Sequence, residues 1–257
     1  MSKQLLLAIV LAAAVAIFLG YFSQPYLGAD ENTLAKLSAN AGQGTGISPA
    51  KQAKPDSVYL LLPAVDDAGR GRLAELLVEA SPGTGKAFIA FQEDTPLFSP
   101  DTQSSLKIAI ELGKLLATRD ASKIDLKYTM NAPSAVVGGS SAGAAVAVAT
   151  VALLQGIPLR GDALITGGID ENGSVLRVGG IPEKARAVKD AGFKKFVVPR
   201  GEKNAMVAQE QCTEQAVAGG VMRRCQTQTI PVDVEAQVGI QIVEVDNIQQ
   251  ALAEMRA

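Results

Sequence analysis

The 257-residue sequence contains no histidine. A Ser-His-Asp triad is therefore excluded, and so is any metal site built on imidazole. If a serine here is nucleophilic, its base is another residue. Lysine is the best candidate, because burial disfavours the ammonium and brings its pKa into the working range. Aromatic residues are scarce, at 4%, while Ala, Val, Leu and Gly dominate, which favours closely packed α/β layers over an aromatic binding surface. The chain also lacks a run of basic residues, and its formal net charge is −2. The concentrated basic footprint of a nucleic-acid binder is missing, so no nucleic-acid partner is expected. Only two cysteines occur, Cys212 and Cys225, and without further ligands nearby they make neither a metal site nor a recognised redox motif.

What is present divides the chain into three materials. Residues 5–22 read LLLAIVLAAAVAIFLGYF, an uncharged and nearly wholly apolar stretch. As a helix it would span roughly 27 Å, about one hydrocarbon thickness. The flank Gly20-Tyr21-Phe22-Ser23-Gln24-Pro25 is a poor match to a small-residue cleavage pattern, which favours an uncleaved anchor over a removed signal peptide. Residues 1–22 are thus expected to be a transmembrane signal-anchor. Lys3 precedes the span and Asp30 and Glu31 follow it, so the N-terminus is expected in the cytoplasm and the rest beyond a single-pass membrane helix. Residues 23–55, rich in Ala, Gly, Ser, Gln, Asn and Pro, read as a flexible linker. Residues 56–257 remain for one domain. If that domain lies outside the cytoplasm, an oxidising environment favours a Cys212–Cys225 disulfide closing a polar loop.

Within the domain, strands alternate with helices. Val58–Leu62 and Leu73–Ala80 read as strands, and Lys86–Phe91 as the return arm of a hairpin after Pro82-Gly83-Thr84-Gly85. Ser99 caps a helix that has Pro100 in its first turn and runs to about Ala117. Ile124–Met130 alternates like a half-buried strand. Ala142–Leu154 is apolar all round and stops at Gly156, as a buried helix would. Ala163–Ile169 and Ser174–Val178 flank the hairpin turn signal Asp170-Glu171-Asn172-Gly173. A helix over Pro182–Ala191, a strand over Phe196–Val198, a strand over Ile240–Val245 and a helix over Asn247–Met255 complete an α/β domain with mixed sheets.

Two motifs carry chemistry. The segment Ser81-Pro82-Gly83-Thr84-Gly85-Lys86-Ala87 is not one of them. A phosphate-binding loop needs Gly and Ser/Thr where Ala80 and Ala87 stand, so Lys86 is read as structural and no nucleotide site is expected. The first real motif is Gly138-Gly139-Ser140-Ser141-Ala142-Gly143, at the start of the apolar helix. Free backbone N–H groups and the helix dipole converge there, suitable construction for an oxyanion hole beside a nucleophile. The second, Gly179-Gly180-Ile181-Pro182-Glu183-Lys184, places a lysine 43 residues beyond Ser141.

Together with Thr166-Gly167 between them, these motifs resemble the proteolytic domain of the Lon-type serine-lysine peptidases. The resemblance runs from Gly138 to Pro199 and more weakly upstream to Pro82-Gly83-Thr84-Gly85-Lys86. It implies a mixed-sheet Lon proteolytic-domain-like α/β fold, with Ser141 as nucleophile, Lys184 as general base and Thr166 beside the lysine. Ser140 falls where relatives have another small residue, and Arg186 and Lys189 read as a solvated helix face. Acyl transfer of this kind requires no metal and no cofactor. The implied function is ATP-independent endopeptidase action on unfolded or flexible polypeptides by a membrane-tethered protein, with a homo-oligomeric ring as a possible assembly. Departures from ATP-dependent relatives bear on regulation: Val137-Gly138 replaces a Lys-Asp pair, Gly168 replaces a Glu, and upstream histidines are absent. Two alternatives differ in kind. Ser-Ser-Lys amidases place the lysine before the serine pair, unlike this chain. A catalytically silent domain, acting as a membrane-tethered binding or scaffolding module, would not need Ser141, Lys184 and Thr166 retained together.

Overall fold

Nine residues of β1 (Ser57–Val65) pair antiparallel with β2 (Gly71–Pro82), in register from Ser57 opposite Glu79 to Val65 opposite Gly71. The turn between them is organised by Asp66, whose carboxylate accepts the Ala68 and Arg70 N–H groups and pairs with the Arg70 and Arg72 guanidinium groups. The Arg70 N–H is the largest of the influences that hold this carboxyl down at about 2. The computed structural model describes residues 56–90, 97–132, 136–217 and 220–257. The expected anchor over 1–22 and linker over 23–55 lie outside the described residues. Among the described residues, no helix is long and apolar enough to cross a membrane.

The first sheet has the order β1-β2-β5-β3, with β5 (Ile124–Asn131) antiparallel to β2 and β3 (Ala87–Ala90) parallel to β5. This corrects the hairpin expected over 73–91. The bend at 82–85 is real, but the edge of β2 is occupied by β5, so β3 reaches the sheet on the far side of β5. Asp125 fixes the bend by accepting the N–H groups of Thr84, at 2.7 Å, and Lys86, at 2.9 Å. A short parallel pair joins β4 (Leu97–Phe98) to β6 (Val136–Val137).

Helix α1 (Pro100–Leu116) starts as its sequence dictates, with Ser99 accepting from the Thr102 N–H and Pro100 in the first turn. Helix α2 (Gly143–Gln155) is buried from Gly143 to Leu154 and closes on Gly156. It is the axis of the main core, packed against α1, β1 and β2. Its one buried hydroxyl, that of Thr150, is shared between the Val146 carbonyl and the Tyr128 hydroxyl at 2.7 and 2.9 Å. A polar group in so apolar a place needs such partners.

The second sheet is parallel, in the order β13-β10-β7, from β7 (Ala163–Ile165), β10 (Lys195–Pro199) and β13 (Gln241–Val245). Parallel neighbours need crossover connections, and α3 (Ile181–Asp190) lies on the crossover from β7 to β10. It buries Ile181, Ala185 and Val188 against Leu164, Phe196 and Val198. Helices α4 (Val234–Val238) and α5 (Ile248–Met255) are capped by Asp233 and Asn247. The strand expected over 163–169 is divided. β7 ends at Ile165, and Gly168–Ile169 forms β8, paired antiparallel with β9 (Val175–Leu176) around the expected turn. The break arises because the Gly167 N–H and carbonyl turn to Ser141 and Ala144. The mixed α/β architecture with a mixed sheet agrees with expectation.

The largest difference lies at 204–233, read as a polar loop from sequence. It is a long antiparallel ribbon of β11 (Asn204–Val217) and β12 (Gly220–Asp233), exposed along nearly all its length. Cys212 stands opposite Cys225 and the two are disulfide-bonded, so the expected bridge is present but staples a ribbon. An isolated two-stranded ribbon is marginal in water. Closing a loop of this length is worth about 3 kcal/mol in the chain-entropy model. The double substitution Cys212→Ser, Cys225→Ser should therefore speed hydrogen exchange across the ribbon while leaving the amides of α2 protected. Unchanged ribbon exchange would show that the staple does not hold it.

Candidate active site

Ser141 occupies the turn immediately before α2, half-buried. Its carbonyl accepts two hydrogen bonds from the end of β7, from the Gly167 N–H at 3.0 Å and the Thr166 hydroxyl at 3.3 Å. The Ala144 N–H returns a third link to the Gly167 carbonyl at 3.0 Å. The serine turn and the strand end are thus one laced unit. The backbone N–H groups of Ser141 and Ala142 have no acceptor among the described residues, so donors remain free beside the serine hydroxyl.

Lys184 comes from the opposite side, in the first turn of α3, where its N–H closes on the Gly180 carbonyl at 2.9 Å. Gly180 makes that entry, with φ of +72° and space for no side chain, since a Cβ there would lie 2.5 Å from Val65. The lysine is 4% exposed and Thr166 is 0% exposed. The Lys184 ammonium nitrogen donates to the Thr166 hydroxyl at 3.3 Å, which in turn donates to the Ser141 carbonyl. Thr166 therefore bridges the lysine to the serine turn. Burial brings the Lys184 pKa down from an ordinary 10.5 to about 8, against an opposing rise from the Glu202 carboxylate. Desolvation of the ammonium is the larger effect.

Ser141 and Lys184 line the same cleft of about 610 Å³. Its inner wall is apolar, formed by Leu62, Ala74, Met130 and Ile165, and its mouth carries Asp66, Asp67, Arg72 and Asp101. The three residues expected at the site, Ser141, Lys184 and Thr166, are brought together. Lys86 is remote, its N–H held by Asp125 in the β2–β3 bend. Arg186 is exposed, as expected for a solvated face, whereas the Lys189 ammonium donates to the Val238 carbonyl at the end of α4. Ser140 also lines the cleft. A Cβ on Gly168 would lie 3.1 Å from the Ser140 hydroxyl oxygen, so the missing side chain at 168 is what gives this serine its room.

Sequence reasoning missed the residues that hold the glycine-serine segment from behind. Thr102 donates to the Gly139 carbonyl at 2.9 Å, and Ser105 donates to the Ser140 carbonyl at 3.0 Å. Asp101 accepts the Ser99 hydroxyl, and this contact is the largest cause that holds its carboxyl below the usual range. The available signal was a pair of small hydroxyl residues three apart on the otherwise apolar face of α1.

The glycine-serine segment held in this way lies inside a region with a known likeness. Residues 119–217 match the family model of the Lon protease (S16) C-terminal proteolytic domain. The Lon-type segment runs from the approach to β5 through the end of β11 and contains Ser141, Thr166 and Lys184. The family is one of serine peptidases. No curated protein matches the chain.

Titration of Lys184 tests the site without any assay of activity. Nitrogen-detected NMR on lysine-labelled protein should give a midpoint near 8 for this ammonium. A midpoint at the ordinary 10.5 would mean that the amine is solvated and the pocket open.

Proposed function

We propose that the chain is a serine endopeptidase using Ser141 and Lys184 as a catalytic dyad. Neutral Lys184 takes the Ser141 proton, Ser141 Oγ attacks the substrate carbonyl, and the free N–H groups at the start of α2 hold the oxyanion. The conjugate ammonium then protonates the leaving amine, and water resolves the acyl-enzyme. Thr166 keeps the lysine aimed at the serine turn through all these steps.

The observation that carries this reading is the buried lysine with its amine linked through one hydroxyl to the backbone of the serine. Lys184 donates to Thr166 rather than to Ser141 Oγ, the looser arrangement common before substrate binds. The Lon-type match supports the reaction class. The apolar inner wall of the cleft suits an extended peptide with an aliphatic side chain next to the cleaved bond. The remaining elements of the proposal are ATP independence, unfolded or flexible protein segments as substrates, tethering by residues 5–22 to a membrane with the peptidase beyond it, and assembly as a homo-oligomeric ring.

Ser141→Ala and Lys184→Ala should each lower kcat/KM on an unfolded protein by about 10³-fold or more, with the double variant little worse, because the pair acts as a unit. Ser140→Ala should retain hydrolysis. Loss of activity in Ser140→Ala with retention in Ser141→Ala would move the nucleophile to the neighbouring serine. Because the base acts only when neutral, activity should climb as pH rises through about 8 and level off above it. A profile flat from pH 6 to 9 would refute Lys184 as the base.

A further inference from the structure

Residues 177–180 form a partition. One side faces the cleft that holds Ser141 and Lys184, and the other faces a second cavity of about 390 Å³ under the base of the ribbon. That cavity is lined by Arg177, Gly180, Ile181, Glu202, Ala205 and Met206 among others, so it abuts the first turn of the lysine helix. Arg177 lines both spaces.

Glu202 is the unusual residue here. It is 6% exposed, and a buried carboxylate requires a partner. The partner is Arg177, whose Nε lies 2.8 Å from Glu202 Oε1 while 61% of its side chain stays in solvent. The pair is lopsided, a buried acid against a largely hydrated base. Water weakens the arginine's hold, and the field of the acid extends past it to the N-terminal turn of α3. Glu202 sits beyond the end of β10, with its N–H on the Pro199 carbonyl at 3.2 Å, outside the cleft and away from any substrate position within it.

Other charges lie on the helix of Lys184, on the lining of its cleft and on the elements packed against that helix. Glu183 and Arg186 lie on its own helix. From the β1–β2 turn come Asp66, held by Arg70 and Arg72, and Asp67. From α1 comes Asp101, held by the Ser99 hydroxyl. From α4 comes Glu235, paired with Lys203, and from the end of β10 comes Arg200, paired with Asp246. Glu202 is the acid whose charge favours the Lys184 ammonium.

We propose that Glu202 and Arg177 are positioning residues that set the charge on Lys184 from behind its helix. Glu202 favours the ammonium formed when the lysine accepts the serine proton, and Arg177 limits that effect so that the resting amine still becomes neutral. The inference rests on the reading of Lys184 as general base. It adds a control on that base from a second cavity that no substrate group needs to enter.

The test is the Lys184 titration midpoint by NMR, together with the pH dependence of kcat/KM, in the full chain and three variants. Glu202→Gln keeps the shape and removes the charge, and should lower the midpoint by on the order of one pH unit. Arg177→Gln exposes the lysine to an unopposed carboxylate and should raise the midpoint. Arg177→Lys keeps the positive charge and should restore the wild-type value. A purely structural pair would not produce shifts of opposite sign. Midpoints unchanged in Glu202→Gln and Arg177→Gln, or moved the same way in both, overturn the proposal even if the wild-type profile still rises near pH 8. If the midpoints move as expected while the rate profile does not follow them, the electrostatic coupling is real and Lys184 is not the base. That outcome overturns the catalytic role assigned here and the proposed function together.

Discussion

A primary amine kept out of water is the constraint on which this structure depends. An ammonium in apolar surroundings is expensive, so a buried lysine is tolerated only where its neighbours supply a hydrogen bond and tune its charge. Lys184 meets both conditions through the Thr166 hydroxyl and the Glu202 carboxylate. β7 ends at Ile165, directly before Thr166, so that the next peptide can bond to the serine turn, and the turn after β10 brings Glu202 to the cavity that the first turn of α3 also lines. Two sheets and two buried clusters meet in these few residues.

The helices were the most legible part of the sequence because their ends carry chemistry. Ser99-Pro100 starts α1, and Gly156 and Gly192 mark the stops after α2 and α3. Strand partners were less legible. A Pro-Gly-Thr-Gly bend states that the chain turns, not which neighbour it meets, and β5 held the place that β3 was expected to take. The ribbon escaped notice for a related reason. Alternation of apolar and polar residues reports a strand with one buried face, and β11 and β12 are exposed on both, with Gln, Thr and Glu on either side.

The same distinction separates the site residues that could be read from those that could not. Ser141, Thr166 and Lys184 sit in glycine-marked motifs whose spacing is local and visible. Thr102 and Ser105 act on backbone carbonyls 37 and 35 residues away, and a carbonyl leaves no mark in sequence. Arg177 and Glu202 are 25 residues apart, and each alone resembles an ordinary surface charge. Only the fold makes one of them buried.

The burial of Lys184 also bears on how well the domain holds together. In the unfolded chain this amine titrates near 10.5, and in the folded chain near 8. Between those values the unfolded state binds a proton that the folded state does not, so this residue makes stability rise with pH across that window. Below about 8 both states are protonated, and the folded domain carries the full expense of a buried ammonium, roughly 3 kcal/mol. The lysine is therefore a standing weakness of the fold at neutral pH. An apolar residue of similar length in its place would give a sturdier protein, so the site persists at the expense of the scaffold that holds it.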